Sequence, residues 1–129
     1  MVNSSSQIPS KIRDFTDLVV WQKAHSVVLE IYKITKTFPA EEKFGLVSQM
    51  RRCATSMTAN IAEGFGRQGR QEKTQFYIIS RGSTVELQDH LLTARDLSYI
   101  PEGVCDELVN KAVTVNKLIN GLIKSLREV

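Results

Sequence analysis

The sequence predicts an all-α protein folded as one antiparallel, up-down-up-down four-helix bundle. Three observations predict it. Apolar residues recur at alternating steps of three and four in four separate stretches, as the buried stripe of a helix requires. No stretch alternates with the period of two that a half-buried strand shows. Only three prolines and seven glycines punctuate 129 residues, too few for the turns of a many-stranded fold.

Composition sets the frame for these helices. With 42% hydrophobic and 24% charged residues, the chain matches an ordinary globular protein long enough to bury one core. No run approaches the roughly 20 apolar residues of a membrane span, and no charged start followed by an apolar run suggests a signal peptide. Cys53 and Cys105 lie within helical stripes rather than in a disulfide spacing, so two free thiols and a cytoplasmic setting are expected.

Residues 1–13 are polar and are read as a disordered tail, leaving 14–129 for the bundle domain. Thr16 is expected to cap the first helix, with Phe15 and Val20 as a hydrophobic staple. One stripe then runs Val20, Ala24, Val27, Ile31, Ile34 and Phe38, and a second runs Leu18, Trp21, His25, Val28 and Tyr32. Phe38-Pro39 ends this helix, because proline disfavours helical geometry in the residue before it. The second helix is expected from about Glu41 to Phe65. It carries no charge from Cys53 to Ala62, as if covered on more than one side. Gly64, Gly66 and Gly69 form the glycine-rich break. A third helix from about Arg70 to Leu97 should face inward with Phe76, Ile79, Ser83, Leu87, Leu91 and Ala94. Pro101 suits the first turn of the fourth, whose stripe is Cys105, Leu108, Ala112, Val115, Ile119, Leu122 and Leu126.

Charge is segregated along this chain. Residues 43–81 carry seven basic against two acidic side chains, and residues 82–108 carry one against six. In an antiparallel bundle one pole gathers Lys11, Arg13, Lys23, Arg67, Arg70, Lys73, Lys124 and Arg127. The other gathers Glu41, Glu42, Asp96, Glu102, Asp106 and Glu107, diluted by Lys36, Lys43 and Arg95. A basic pole attracts phosphate through counterion release. Lys23, Arg67, Arg70, Lys73, Lys124 and Arg127 are therefore the candidate nucleic-acid contacts, and a protein partner docking on the same poles is the alternative. Phe65 is the only aromatic expected among the arginines, so readout of sequence by stacking is not indicated.

Catalytic and cofactor patterns fail on their own terms. Gly64, Gly66 and Gly69 spell G-x-G-x-x-G, but a dinucleotide site needs a strand before the glycines, and here a helix precedes them. Free amides at the start of helix three beside Arg67 and Arg70 could hold a phosphate, though a plain helix-terminating loop is the favoured reading. His25 and His90 lack the Glu-x-x-His spacing of a di-metal bundle. Glu86 and His90 are one turn apart, and one such pair does not hold a metal. Cys53 reads as a packed, inert thiol, so neither an enzyme nor a cofactor or metal site is expected. Asn60 and Glu63 are expected to be partly buried and to hydrogen-bond a neighbouring helix or loop.

Several motifs occur in order: Leu18-Val-Val-Trp21-Gln22-Lys23-Ala24, Phe44-Gly45-Leu46-Val-Ser48-Gln49-Met-Arg51-Arg52 and Asn60-Ile61-Ala62-Glu63-Gly64-Phe65-Gly66-Arg67. Ser80-Arg81-Gly82-Ser83 with Glu86-Leu87, and Leu97-Ser-Tyr99-Ile100, complete the set. Over residues 14–125 the chain resembles the small bacterial four-helix bundle proteins of intervening sequences in 23S ribosomal RNA genes. It is also similar to the accessory protein of diversity-generating retroelements, a basic pentamer that binds nucleic acid and a reverse transcriptase. The resemblance implies a homopentamer and offers no catalytic residues. Cys53 and Met57 depart from the smaller or branched aliphatic residues usual at those positions. The residues themselves point to a homo-oligomer of unspecified number through the double stripe of helix one and the uncharged run of helix two. Trp21, Val28, Tyr32, Ala54 and Ile61 are the candidate interface positions.

Overall fold

The computed structural model of the chain describes residues 11–127. Ten of the thirteen residues read as a tail lie outside the described residues. Four helices pack around one core: α1 (Val19–Thr35), α2 (Leu46–Gly66), α3 (Arg70–Asp96) and α4 (Glu102–Arg127). Short 3-10 turns, Phe15–Asp17 and Ala40–Glu42, precede α1 and α2, and no strand occurs among the described residues.

The helix starts differ from expectation because side chains other than the expected ones satisfy the free amides. Asp14, not Thr16, caps the first turn: its carboxylate accepts from the Thr16 amide, while Asp17 accepts from the backbone of Asp14 and Arg13. Phe15 falls inside that turn and packs edge-on against Trp21 at 5.4 Å. Before α2, the Glu42 carboxylate reaches past Gly45 to accept from the Leu46 amide at 3.1 Å, so the regular helix begins five residues later than expected. At the end of α3, Ser98 takes the left-handed conformation (φ 64°), and the Tyr99 and Ser98 amides return to the Ala94 and Arg95 carbonyls.

Both outer stripes fold as read over most of their length, but Ile34, Leu122 and Leu126 are only partly buried, and Ile123 is the residue inside near the end of α4. Val20, Ala24, Val27 and Ile31 of α1 and Cys105, Leu108, Ala112, Val115 and Ile119 of α4 are buried. On α3 the buried face is shifted by one residue over its first half, where Tyr77, Ser80 and Thr84 are inside while Ile79 is half exposed. The reason is the closeness of α2. Ser80 donates to the Met57 carbonyl at 2.8 Å, and Ser83 donates to Ser56 at 2.8 Å. Small hydroxyls fill this seam where an isoleucine would hold the helices apart.

Cross-helix pairs define how the helices lie. Tyr77 and Phe76 touch Gly64, Ser80 meets Met57, and Ser83 meets Ser56, so contact numbers fall on α2 as they rise on α3. Between α3 and α4, Arg81 meets Asn120 and Thr84 meets Asn116. Lys111 of α4 pairs with Glu30 of α1, and Arg51 of α2 donates to Thr35 of α1. The uncharged run of α2 is thus flanked by α1 on one side and α3 on the other.

Candidate functional site: the basic end

The turn between α2 and α3 is built by the basic residues that the sequence marks out. Lys73 donates its ammonium to the carbonyls of Phe65 (2.8 Å) and Gly64 (3.2 Å) in the last turn of α2, the latter also accepting from the Arg67 amide. It also lies 5.5 Å from the centre of the Phe65 ring. Arg67 pairs with Glu63 at 2.7 Å, approaches Glu72 at 3.9 Å, and lies 4.9 Å from the centre of the Phe76 ring. A second aromatic therefore accompanies Phe65 here, one that the spacing did not indicate. Arg70 opens α3 on the exposed surface.

Lys124 and Arg127 occupy the exposed last turn of α4. Because Arg81 meets Asn120, the end of α4 lies level with the first turns of α3, at about 1.5 Å of rise per residue. Phe15, Ala59, Ala62, Glu63, Gly66 and Arg67 line one shallow depression, which brings the start of the chain's first helical turn to the same end. Lys23 is placed otherwise: it lines a side groove between α1 and α4 with Ser26, Lys111 and Thr114. Arg67, Arg70, Lys73, Lys124 and Arg127 share one end, and Lys23 does not. The opposite end exposes Glu41, Asp96, Glu102, Asp106 and Glu107.

The positions expected at an oligomer interface separate into two groups. Ala54 and Ile61 have no exposed surface and Val28 is buried, because α1 and α3 close over that side of α2. These three belong to the chain's own core. Trp21 is half buried, stacked on His25 at 4.6 Å, and Tyr32 is 38% exposed with the Arg51 guanidinium over its ring. Other exposed apolar side chains include Val19 and Leu29 on α1, Phe44 (88% exposed), and Ile78, Ile79, Val85 and Leu92 on α3. Tyr32, Phe44, Arg51 and Arg52 share one groove.

Asn60 and Glu63 do not bridge to another helix. Asn60 donates to Ser56 on its own helix, and Glu63 is exposed against Arg67. The buried polar groups that do cross are Thr35, which accepts from Arg51, and Ser80, Ser83 and Thr84, the last accepting from Asn116 at 2.7 Å. Glycine spacing could not reveal the role of Gly64 either, since α2 continues through it and Tyr77 packs on it. Both cysteines are free and buried, and burial pushes the Cys53 thiol up to about 12. Cys53 nevertheless stands beside Glu86 and His90, and the ligand atoms of all three lie within 4.8 Å of one another. The one-turn pair Glu86–His90 thus has a third neighbour from another helix.

A four-helix, all-α protein is the class that this architecture defines. The 23S rRNA-intervening sequence protein model matches residues 16–121, and the chain belongs to that family. A solved structure of a protein of unknown function from the S23 ribosomal protein family of Bacteroides thetaiotaomicron is similar to it. The two share 27% identity with a TM-score of 0.76, over 82% of this chain and 99% of that one. No curated protein matches the chain.

Proposed function

We propose that this protein is a non-catalytic, cytoplasmic, homo-oligomeric bundle that binds nucleic acid, structured RNA foremost, through its basic end. The cross-helix pairs support an antiparallel up-down-up-down arrangement, which is what gathers charge from three separate stretches of sequence. The observation that carries the reading is the placing of Arg67, Arg70, Lys124 and Arg127 at one end, where Glu63 and Glu72 offset part of the charge, while Glu41, Asp96, Glu102, Asp106 and Glu107 are exposed toward the other. A ring of identical subunits, five by resemblance to the retroelement accessory protein, would multiply that end into a collar and raise its local field. Exposed apolar residues on α1 and α3 supply surface for such an assembly. Fluorescence anisotropy with a structured RNA over a range of salt tests the binding. Affinity should fall log-linearly with salt and differ little between unrelated sequences. Absence of binding at low salt would overturn the reading.

The second reading, a protein–protein adaptor, draws support from Phe44, which stands 88% exposed beside Tyr32, Arg51 and Arg52. An aromatic and arginine pair of this kind is a common protein-interface anchor.

A further inference from the structure

The seam between α2 and α3 brings together three side chains of metal-ligating chemistry, away from the basic end. Ser56 meets Ser83 across the seam, and three residues further along each helix stand Cys53 and Glu86. His90 follows Glu86 by one turn on the same face of α3, with its Nε2 3.3 Å from the Glu86 carboxylate. The Cys53 Sγ, the Glu86 carboxylate and the His90 imidazole lie within 4.8 Å of one another.

We propose that Cys53, Glu86 and His90 form a three-ligand site for a divalent transition-metal ion of the zinc class, with a fourth position open to water. Thiolate, imidazole and carboxylate are the donor types that zinc takes, whereas magnesium and calcium select oxygen alone. Bonds of about 2.0–2.3 Å would set tetrahedral ligand atoms roughly 3.3–3.8 Å apart, so the three donors need to draw in by about 1 Å. Glu86, with its side chain 50% exposed, has the freedom to do so.

Charge and burial favour the same occupant. On binding, the ion displaces the Cys53 thiol proton to solvent, and the resulting thiolate and the Glu86 carboxylate together neutralise the dication, so no net charge is left at the half-buried seam. Exposure rises from Cys53 (3%) through the His90 side chain (18%) to that of Glu86 (50%), giving the ion a path from solvent. Asp89 stands 3.9 Å from the other ring nitrogen of His90, too far for a hydrogen bond in this structure.

Cobalt(II) reports on such a site directly, because a cobalt–thiolate bond gives a near-ultraviolet charge-transfer band and tetrahedral geometry gives intense visible bands. Full-length protein stripped with chelator should bind one Co2+ per chain with both features, and Zn2+ should bleach them. Cys53→Ser should abolish the charge-transfer band. His90→Gln and Glu86→Gln, on the partly exposed side, should each weaken binding by about tenfold or more without depending on the core. His25→Gln, on α1, should titrate as the parent does. Absence of the charge-transfer band, or parent-like titration of His90→Gln and Glu86→Gln, would overturn the proposal. Bands that zinc fails to bleach would overturn the assignment to zinc-class ions.

Discussion

Tyr77 lays its ring against the backbone of Gly64: a β-carbon at position 64 would stand 2.7 Å from the Tyr77 Cε1 atom and 3.2 Å from the Phe76 Cβ. This glycine serves the close approach of α2 and α3, and the phosphate-binding pattern it superficially completes has no part in its role. Gly64→Ala should therefore cost about 1–3 kcal/mol, the usual price of overpacking. Gly82→Ala, at a helical position with open space around it, should stabilise by up to about 1 kcal/mol. Urea denaturation of the two variants checks the contrast.

Lys73 ties the start of α3 to the last carbonyls of α2, so its loss is a stability change before it is a charge change. Lys73→Gln should lower the unfolding free energy by about 0.5–1.5 kcal/mol, whereas Lys124→Gln should shift it by less than about 0.5 kcal/mol. Thermal unfolding of the two single variants side by side separates the capping lysine from a solvated one.

Glu42 joins two connections at the acidic end. One of its oxygens caps α2, and the other accepts the Tyr99 hydroxyl at 2.8 Å. The Tyr99 hydrogen bond, followed by the Leu46 amide, holds the Glu42 carboxyl below its ordinary 4.5, and the bond to Glu42 raises the Tyr99 phenol above its ordinary 10.0. A lowered carboxyl stabilises above 4.5 and loses that contribution as pH falls through its folded value. A raised phenol stabilises below 10.0 and loses its contribution as pH rises through its folded value. The stability gap between the parent and Tyr99→Phe should be widest between 4.5 and 10.0 and narrow on both sides. A gap independent of pH would contradict the pairing.

Much of this fold was legible because a helix with one wet face writes its buried stripe in steps of three and four. Val20 to Ile31 and Cys105 to Ile119 are such stripes, and both are buried. The register of α3 escaped because its tightest seam is lined by Ser80 and Thr84, which hydrophobicity alone assigns to solvent. Ala54 and Ile61 read from the sequence as an outer face, since a period shows that a stripe is apolar, not which neighbour covers it. The basic end could be read from charge counts, yet the commitment of Lys73 to capping and of Arg67 to Glu63 could not. Cys53 and Glu86 stand 33 residues apart, and only the packing of α2 on α3 makes them neighbours.

The salt dependence of RNA binding by one variant tests the account most directly. Arg67→Gln, Arg70→Gln, Lys124→Gln and Arg127→Gln combined remove the basic end but leave the capping lysine, Lys73, in place. Each phosphate contact contributes about 0.7–0.9 to the slope of log affinity against log salt. The combined variant should bind all RNA sequences more weakly and flatten that slope by up to about four contacts per engaged subunit. A control changing Lys33, Lys36 and Lys43 to glutamine should keep the parent's affinity and slope within about one contact. An unchanged slope in the first variant, or equal losses in both, would contradict binding through the basic end.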